Sequence, residues 1–112
     1  MPQDKILLII EDEIDACLLM AHLLRNKFAH IECAYSLAEG LEKANSLPPD
    51  VVLLDNNLPD GYGIEHIRDL KSIGRNPVQV VLISALDIRT EALAAGADSF
   101  IGKPIRLGDL PW

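Results

Sequence analysis

The chain has 112 residues, seventeen acidic against ten basic, for a net charge of −7 at pH 7. With 49% hydrophobic residues and a mean hydropathy of +0.18 it is too apolar to stay disordered, and it is long enough to bury the core of one domain spanning 1–112. The negative charge disfavours unaided binding to nucleic acid or an anionic membrane, and no stretch approaches the roughly 20 apolar residues of a transmembrane helix.

Lys5–Ile10 reads as a strand apolar on both faces, as expected where helices cover both sides of a parallel sheet. That run is too short for a signal peptide and meets Glu11 and Asp12 at once, so a soluble, cytoplasmic domain is expected. Ile14, Cys17, Leu18, Ala21 and Leu24 recur at helical spacing and predict a core-facing stripe. Ile31–Tyr35 is a weaker second strand. Ser36-Leu37-Ala38-Glu39 has capping-box spacing and opens a second helix towards Ser46, which Pro48-Pro49 ends. The third strand is Val51–Asp55. Gly61 and Gly63 bracket the turn into a third helix carrying Ile64, Ile67 and Leu70. Pro77 precedes a fourth strand, Val78–Ser84. An Ala-rich helix around Thr90–Ala95 stops at Gly96, a C-terminal glycine cap, and Ser99–Ile101 is a last brief strand. The tail 105–112 holds Gly108 and Pro111 and is expected to be irregular. Cys17 and Cys33 lie in apolar segments with no CxxC and no metal-ligand spacing, and read as two reduced core thiols.

Strand–helix alternation specifies an α/β fold with right-handed crossovers. In a parallel sheet every carboxyl end lies on one edge, the edge where open sheets bind ligands. Glu11 and Asp12 follow the first strand, Asp55 ends the third, Ser84 ends the fourth, and Lys103 follows the fifth. Three carboxylates close together repel by about 1 to 4 kcal/mol per pair and call for a cation. Oxygen-only ligands favour a hard ion such as Mg²⁺ (or Mn²⁺), which keeps several waters and leaves room for a phosphoryl group. Lys103 offers a point charge to an anion, Ser84 a hydrogen-bond donor, and an aspartate can itself accept a phosphoryl group.

Six elements in order carry a resemblance from Lys5 to Pro104: Ile10-Glu11-Asp12, Pro49 to Asp55, Leu58-Pro59-Asp60-Gly61-Tyr62-Gly63, Ser84-Ala85, Ala95 to Phe100, and Lys103-Pro104. The chain resembles the receiver (response regulator) domains of two-component signalling, the CheY-like superfamily. The resemblance implies a flavodoxin-like five-stranded parallel sheet, order 2-1-3-4-5, with helices on both faces. It implies that Asp55 accepts a phosphoryl group from a phosphohistidine of a sensor histidine kinase or histidine phosphotransfer protein. Asp12, Asp55 and the backbone carbonyl of Asn57 would hold Mg²⁺, with Glu11 acting largely through water. Lys103 would contact the phosphoryl group, Ser84 would move to it, and Phe100 would be the aromatic switch that turns inward. The Lys103-Pro104 bond resembles the family's cis peptide. A downstream effector protein, or an output domain outside this chain, would read the switch. Two departures stand out: Ser84 to Lys103 is about one helical turn shorter than is usual in receivers, predicting a short fourth helix, and the final helix is largely missing.

Each of these residues has a plainer reading on its own. Asp55 could cap a turn, Glu11-Asp12 could complement a helix dipole, Ser84 could bond to backbone, Lys103 could be a solvated lysine, and Phe100 could be ordinary core. His22, His30 and His66 have no matching partners and read as surface residues, not ligands or phosphodonors, and Trp112 has no assigned role. Three rival functions compete with this reading. A haloacid-dehalogenase-type phosphatase needs a second acid two residues after its nucleophile, where this chain has Asn57. A flavin or nucleotide binder needs a glycine-rich cradle where this chain has acids. A degenerate receiver, a pure interaction module, would never be phosphorylated.

Overall fold

Strands without a polar face must be covered on both sides, and this requirement organises the computed structural model, which describes residues 4–73 and 77–112. Five strands, β1 (Ile6–Ile10), β2 (His30–Ala34), β3 (Val51–Asp55), β4 (Gln79–Ser84) and β5 (Ser99–Gly102), form one parallel sheet in the order β2-β1-β3-β4-β5. The connecting helices are α1 (Ile14–Leu24), α2 (Leu37–Ser46), α3 (Ile67–Lys71) and α4 (Arg89–Ala94). This is the flavodoxin-like arrangement expected. Alternation along the strands splits the core in two. Leu8, Ile10, Val52, Leu54, Val80 and Leu82 pack with α2, α3 and α4. Leu7, Ile9, Val51, Leu53, Val81 and Ile83 pack with α1. Each fully buried aliphatic side chain stabilises the fold by about 1.5–3 kcal/mol relative to an exposed one.

The helical stripe on α1 differs from expectation. Cys17 and Leu24 are buried and Met20 joins them, but Ile14 and Leu18 are 56% and 54% exposed. Those two lie on the flank of the helix, and Leu19 and Leu23 are exposed on the other flank. Four apolar flank residues blur the 3.6-residue signal, so periodicity alone places the stripe one flank away from the true contact line. The third helix begins as a 3₁₀ turn, Gly63–His66, before the single α turn of α3. The fourth helix has six residues, as short as expected, and Gly96 follows it at φ +109°. The tail carries a 3₁₀ turn at Leu107–Asp109, buries Leu110, and sets the Trp112 ring edge-on to Phe28 with centroids 5.2 Å apart. With α1 it lines an open groove whose walls include Leu19, Leu23, Ile105 and Leu110, together with Glu11 and Lys103. Among the described residues no helix is long and apolar enough to cross a membrane.

Carboxylates that serve the scaffold accept backbone N–H groups. Asp50 Oδ2 accepts from Ile6 N at 2.8 Å, and Asp98 Oδ2 accepts from Val80 N and Lys71 Nζ, both at 2.7 Å. Ser36 caps α2 by accepting from Glu39 N at 3.1 Å, while the Glu39 carboxylate reaches past the cap to Tyr35 N at 2.6 Å. Asp60, from the loop after β3, accepts from Leu37 N at 2.8 Å and Ala38 N at 2.9 Å, a second cap supplied from across the fold.

The Asp60 carboxyl is held below its ordinary value of 3.8 by the Ala38 and Leu37 amides. A depressed carboxyl contributes stability above pH 3.8 that disappears as pH falls through the lower folded-state value. Asp60→Ala should therefore lower the melting temperature at neutral pH, and the gap to wild type should close below that value; a gap independent of pH contradicts the cap. A Cβ on Gly63 would sit 2.5 Å from the Asp55 carbonyl oxygen and 2.9 Å from Leu54 Cγ. Gly63→Ala should cost about 1–3 kcal/mol by overpacking, read as a lower urea midpoint, and an unchanged midpoint would refute the close approach.

Candidate functional site

Backbone hydrogen bonds extend the ladder one residue past three of the strands and deliver the site. Glu11 N donates to Ala34 O, Asn56 N to Ile83 O, and Lys103 N to Ser84 O, each at 2.9 Å. Glu11 is thereby fixed at the end of β1, Asp55 at the end of β3, and Lys103 just beyond β5. One oxygen each of Glu11, Asp12 and Asp55 lies within 4.8 Å of the others, with Glu11 and Asp55 buried and Asp12 exposed. Lys103 Nζ is 3.3 Å from Glu11 Oε1 and 3.2 Å from Asp55 Oδ2. Its side chain is 30% exposed against 4% for each carboxylate, so the ammonium enters the pocket from its open side.

The backbone bonds that the pocket acids accept are long, in contrast to those of Asp50, Asp60 and Asp98. Glu11 Oε2 accepts from Glu13 N at 3.2 Å and Asp55 Oδ1 from Asn57 N at 3.4 Å. Their charge is answered chiefly by Lys103. For that ammonium the largest single influence is desolvation, which disfavours its charge, but the Asp55 and Glu11 carboxylates outweigh it and raise the pKa above the ordinary 10.5. For Asp12 a hydrogen bond with Glu11, followed by desolvation and the Glu11 charge, raises the carboxyl above its ordinary 3.8. Asp12 thus holds its proton more tightly than an isolated aspartate does, because a second carboxylate stands beside it. All the donors are oxygens clustered on one side of a buried floor, and this set fits a hard divalent ion.

Ser84 is buried at the end of β4, and its Oγ accepts from Leu86 N at 3.0 Å. Asn57 starts a two-residue ribbon, Asn57–Leu58 with Gly61–Tyr62, and its side chain faces solvent. Phe100 is buried among the core residues of the α4 side, with the Arg89 guanidinium 5.3 Å over its ring. The Lys103–Pro104 peptide is cis. Each histidine pairs with a neighbour in sequence: Arg25 for His22, Glu32 for His30 and Asp69 for His66. These contacts span two or three residues at the surface, and none lies at the acidic edge.

Asn56 was not singled out from sequence, yet it anchors the loop after Asp55. Its carbonyl accepts from Gly63 N at 2.8 Å and its Oδ1 from Ile64 N at 3.0 Å, while the side chain is buried. An asparagine at a strand end reads as turn chemistry, and only the fold shows it tying that strand end to the start of the next helical turn.

A family model for the response regulator receiver domain matches residues 7–111. The KDP operon transcriptional regulatory protein KdpE of Escherichia coli K12 is 38% identical over 106 residues, covering 92% of this chain and 46% of that protein. The acid tolerance regulatory protein ActR of Rhizobium meliloti is 30% identical over 109 residues, covering 96% of this chain and 56% of ActR. The chain thus spans about half the length of these relatives. Among solved structures, a CheY-like receiver domain from Methylobacillus flagellatus superposes with a TM-score of 0.85 at 26% identity, covering 96% of this chain and 92% of that one. Sheet order, acidic edge and family match agree, and the chain belongs to the response regulator receiver family.

Proposed function

We propose that this receiver accepts a phosphoryl group on Asp55 from the phosphohistidine of a sensor histidine kinase or a histidine phosphotransfer protein in the cytoplasm. The single observation that carries the reading is the clustering of Glu11, Asp12 and Asp55 at the carboxyl edge of the sheet, with the Lys103 ammonium paired to Glu11 and Asp55. An Asp55 carboxylate oxygen attacks phosphorus as the P–N bond to the donor imidazole breaks, giving an aspartyl phosphate and a free histidine. Asp12, Asp55 and the Asn57 carbonyl, with Glu11 through water, would hold Mg²⁺, whose charge offsets that of the phosphoryl oxygens. Lys103, already 3.2 Å from Asp55 Oδ2, pairs with a phosphoryl oxygen once that carboxylate is esterified.

Signalling follows from the same contacts. The Ser84 hydroxyl leaves the Leu86 amide to donate to the phosphoryl group, which frees the loop into α4. Phe100, packed inward under Arg89, is the switch aromatic on that side of the sheet. A downstream effector or an output domain reads the altered surface. The chain promotes only its own phosphorylation and slow hydrolysis, with no separate substrate.

Incubation with a small acyl phosphate and Mg²⁺ should add one phosphoryl mass, labile to base and absent in Asp55→Asn or in EDTA. Labelling that persists in Asp55→Asn would overturn the acceptor assignment. Lys103→Ala should still bind Mg²⁺, seen as a melting temperature that rises with the metal, while failing to propagate phosphorylation to the Ser84–Leu86 loop. Weakened Mg²⁺ affinity in that variant would contradict a place for the ammonium on the phosphoryl side.

A further inference from the structure

The two cysteines stand apart from the acidic pocket, but they meet each other. Cys17 is fully buried on the sheet-facing line of α1, and its Sγ lies 3.8 Å from the carbonyl oxygen of Ile9 in β1. Cys33 lies in β2 directly beside Ile9 in the strand register. It packs against the α1-side core, the same cluster that contains Cys17. The two thiols therefore converge on one strand position, Ile9, from α1 and from β2. Both are free.

We propose that Cys17 and Cys33 are a modification site, a dithiol that a hydroperoxide converts into a reversible intramolecular disulfide joining α1 to β2. Two sulfurs that pack in one cluster beside the same residue, Ile9, can be joined by a local approach to the roughly 2.05 Å of a disulfide bond. In reducing surroundings the pair rests as thiols, and a disulfide there is a transient, sensing modification. The division of labour follows exposure. Cys33 is half-buried at the edge strand and is the sulfur that an oxidant reaches. Burial, first, and then the neighbouring Cys33 push the Cys17 thiol well above its ordinary range, so the first oxidation falls to Cys33.

The chemistry balances in two steps. The Cys33 sulfur attacks the terminal oxygen of the hydroperoxide, the O–O bond breaks, and the Cys33 thiol proton leaves with the other oxygen as an alcohol (or water, from hydrogen peroxide), giving a sulfenic acid. The Cys17 sulfur then attacks the Cys33 sulfur, hydroxide leaves, and the Cys17 proton converts it to water. Two thiols are oxidised, one peroxide is reduced, and no other reactant is needed. The site is independent of the phosphoacceptor reading, so Asp55→Asn should oxidise as wild type does.

The test is to treat the folded full chain with equimolar hydrogen peroxide, quench it, and measure intact mass, titratable thiols and a non-reducing peptide map. The expected result is a loss of two hydrogens, both thiols silent, a Cys17–Cys33 cross-linked peptide at a yield independent of protein concentration, and full reversal by dithiothreitol. Cys33→Ser should leave Cys17 titratable under the same treatment, while Cys17→Ser should let Cys33 proceed to the sulfinic acid. Should Cys17→Ser not fold, wild type and Cys33→Ser still decide the matter. Wild-type protein that gains oxygen on Cys33 while Cys17 stays titratable, or that cross-links only between molecules, overturns the proposal.

Discussion

Mutual repulsion among Glu11, Asp12 and Asp55 is the constraint to which the rest of this edge answers. One oxygen from each lies within 4.8 Å of the others, and the chain brings the Lys103 ammonium to Glu11, 92 residues away in sequence, and to Asp55. Neither the acids nor Lys103 would be placed there by local preference. They are placed by β1, β3 and β5, whose parallel register ends all three on one side. The opposite edge provides an internal contrast, because there Asp50 and Asp98 bind strand amides at 2.7–2.8 Å and are ordinary structural carboxylates. The same residue type thus serves as scaffold at one end of the sheet and as poised chemistry at the other.

The two faces of the sheet are covered unequally. One carries α2, α3 and α4, with Phe100 and Arg89 at its margin. The other has α1 and a short tail, where Leu110 and Trp112 take up part of the covering and leave Leu19 and Leu23 beside an open groove. The Ser84–Leu86 loop, held by the bond from Leu86 N to Ser84 Oγ, leads from β4 into α4 on the first face, while Cys17 and Cys33 pack on the second.

Much of this was legible in the residues. Strands apolar on both faces announce a parallel sheet, and acids placed just after them announce an edge site, so Glu11, Asp12, Asp55, Ser84 and Lys103 could be grouped before any coordinates. The Gly96 cap and the short α4 were equally local signals. The failures share a cause. Ile14 and Leu18 looked like core because a helical stripe does not say which flank touches the sheet. Asn56 and Asp60 read as turn formers because their partners, Ile64 in one case and Leu37 and Ala38 in the other, are set by tertiary packing. The proximity of Cys17 to Cys33 depends on α1 lying across β1 towards β2, which a spacing of sixteen residues cannot reveal.

Trp112 is the sole tryptophan of the chain, and its ring stands edge-on to Phe28 on the α1 side of the sheet. Its emission is a natural optical gauge of how firmly the C-terminus is seated. It reports from the layer that contains neither Phe100 nor α4, so it separates loosening of the tail from rearrangement of the signalling face without any introduced label.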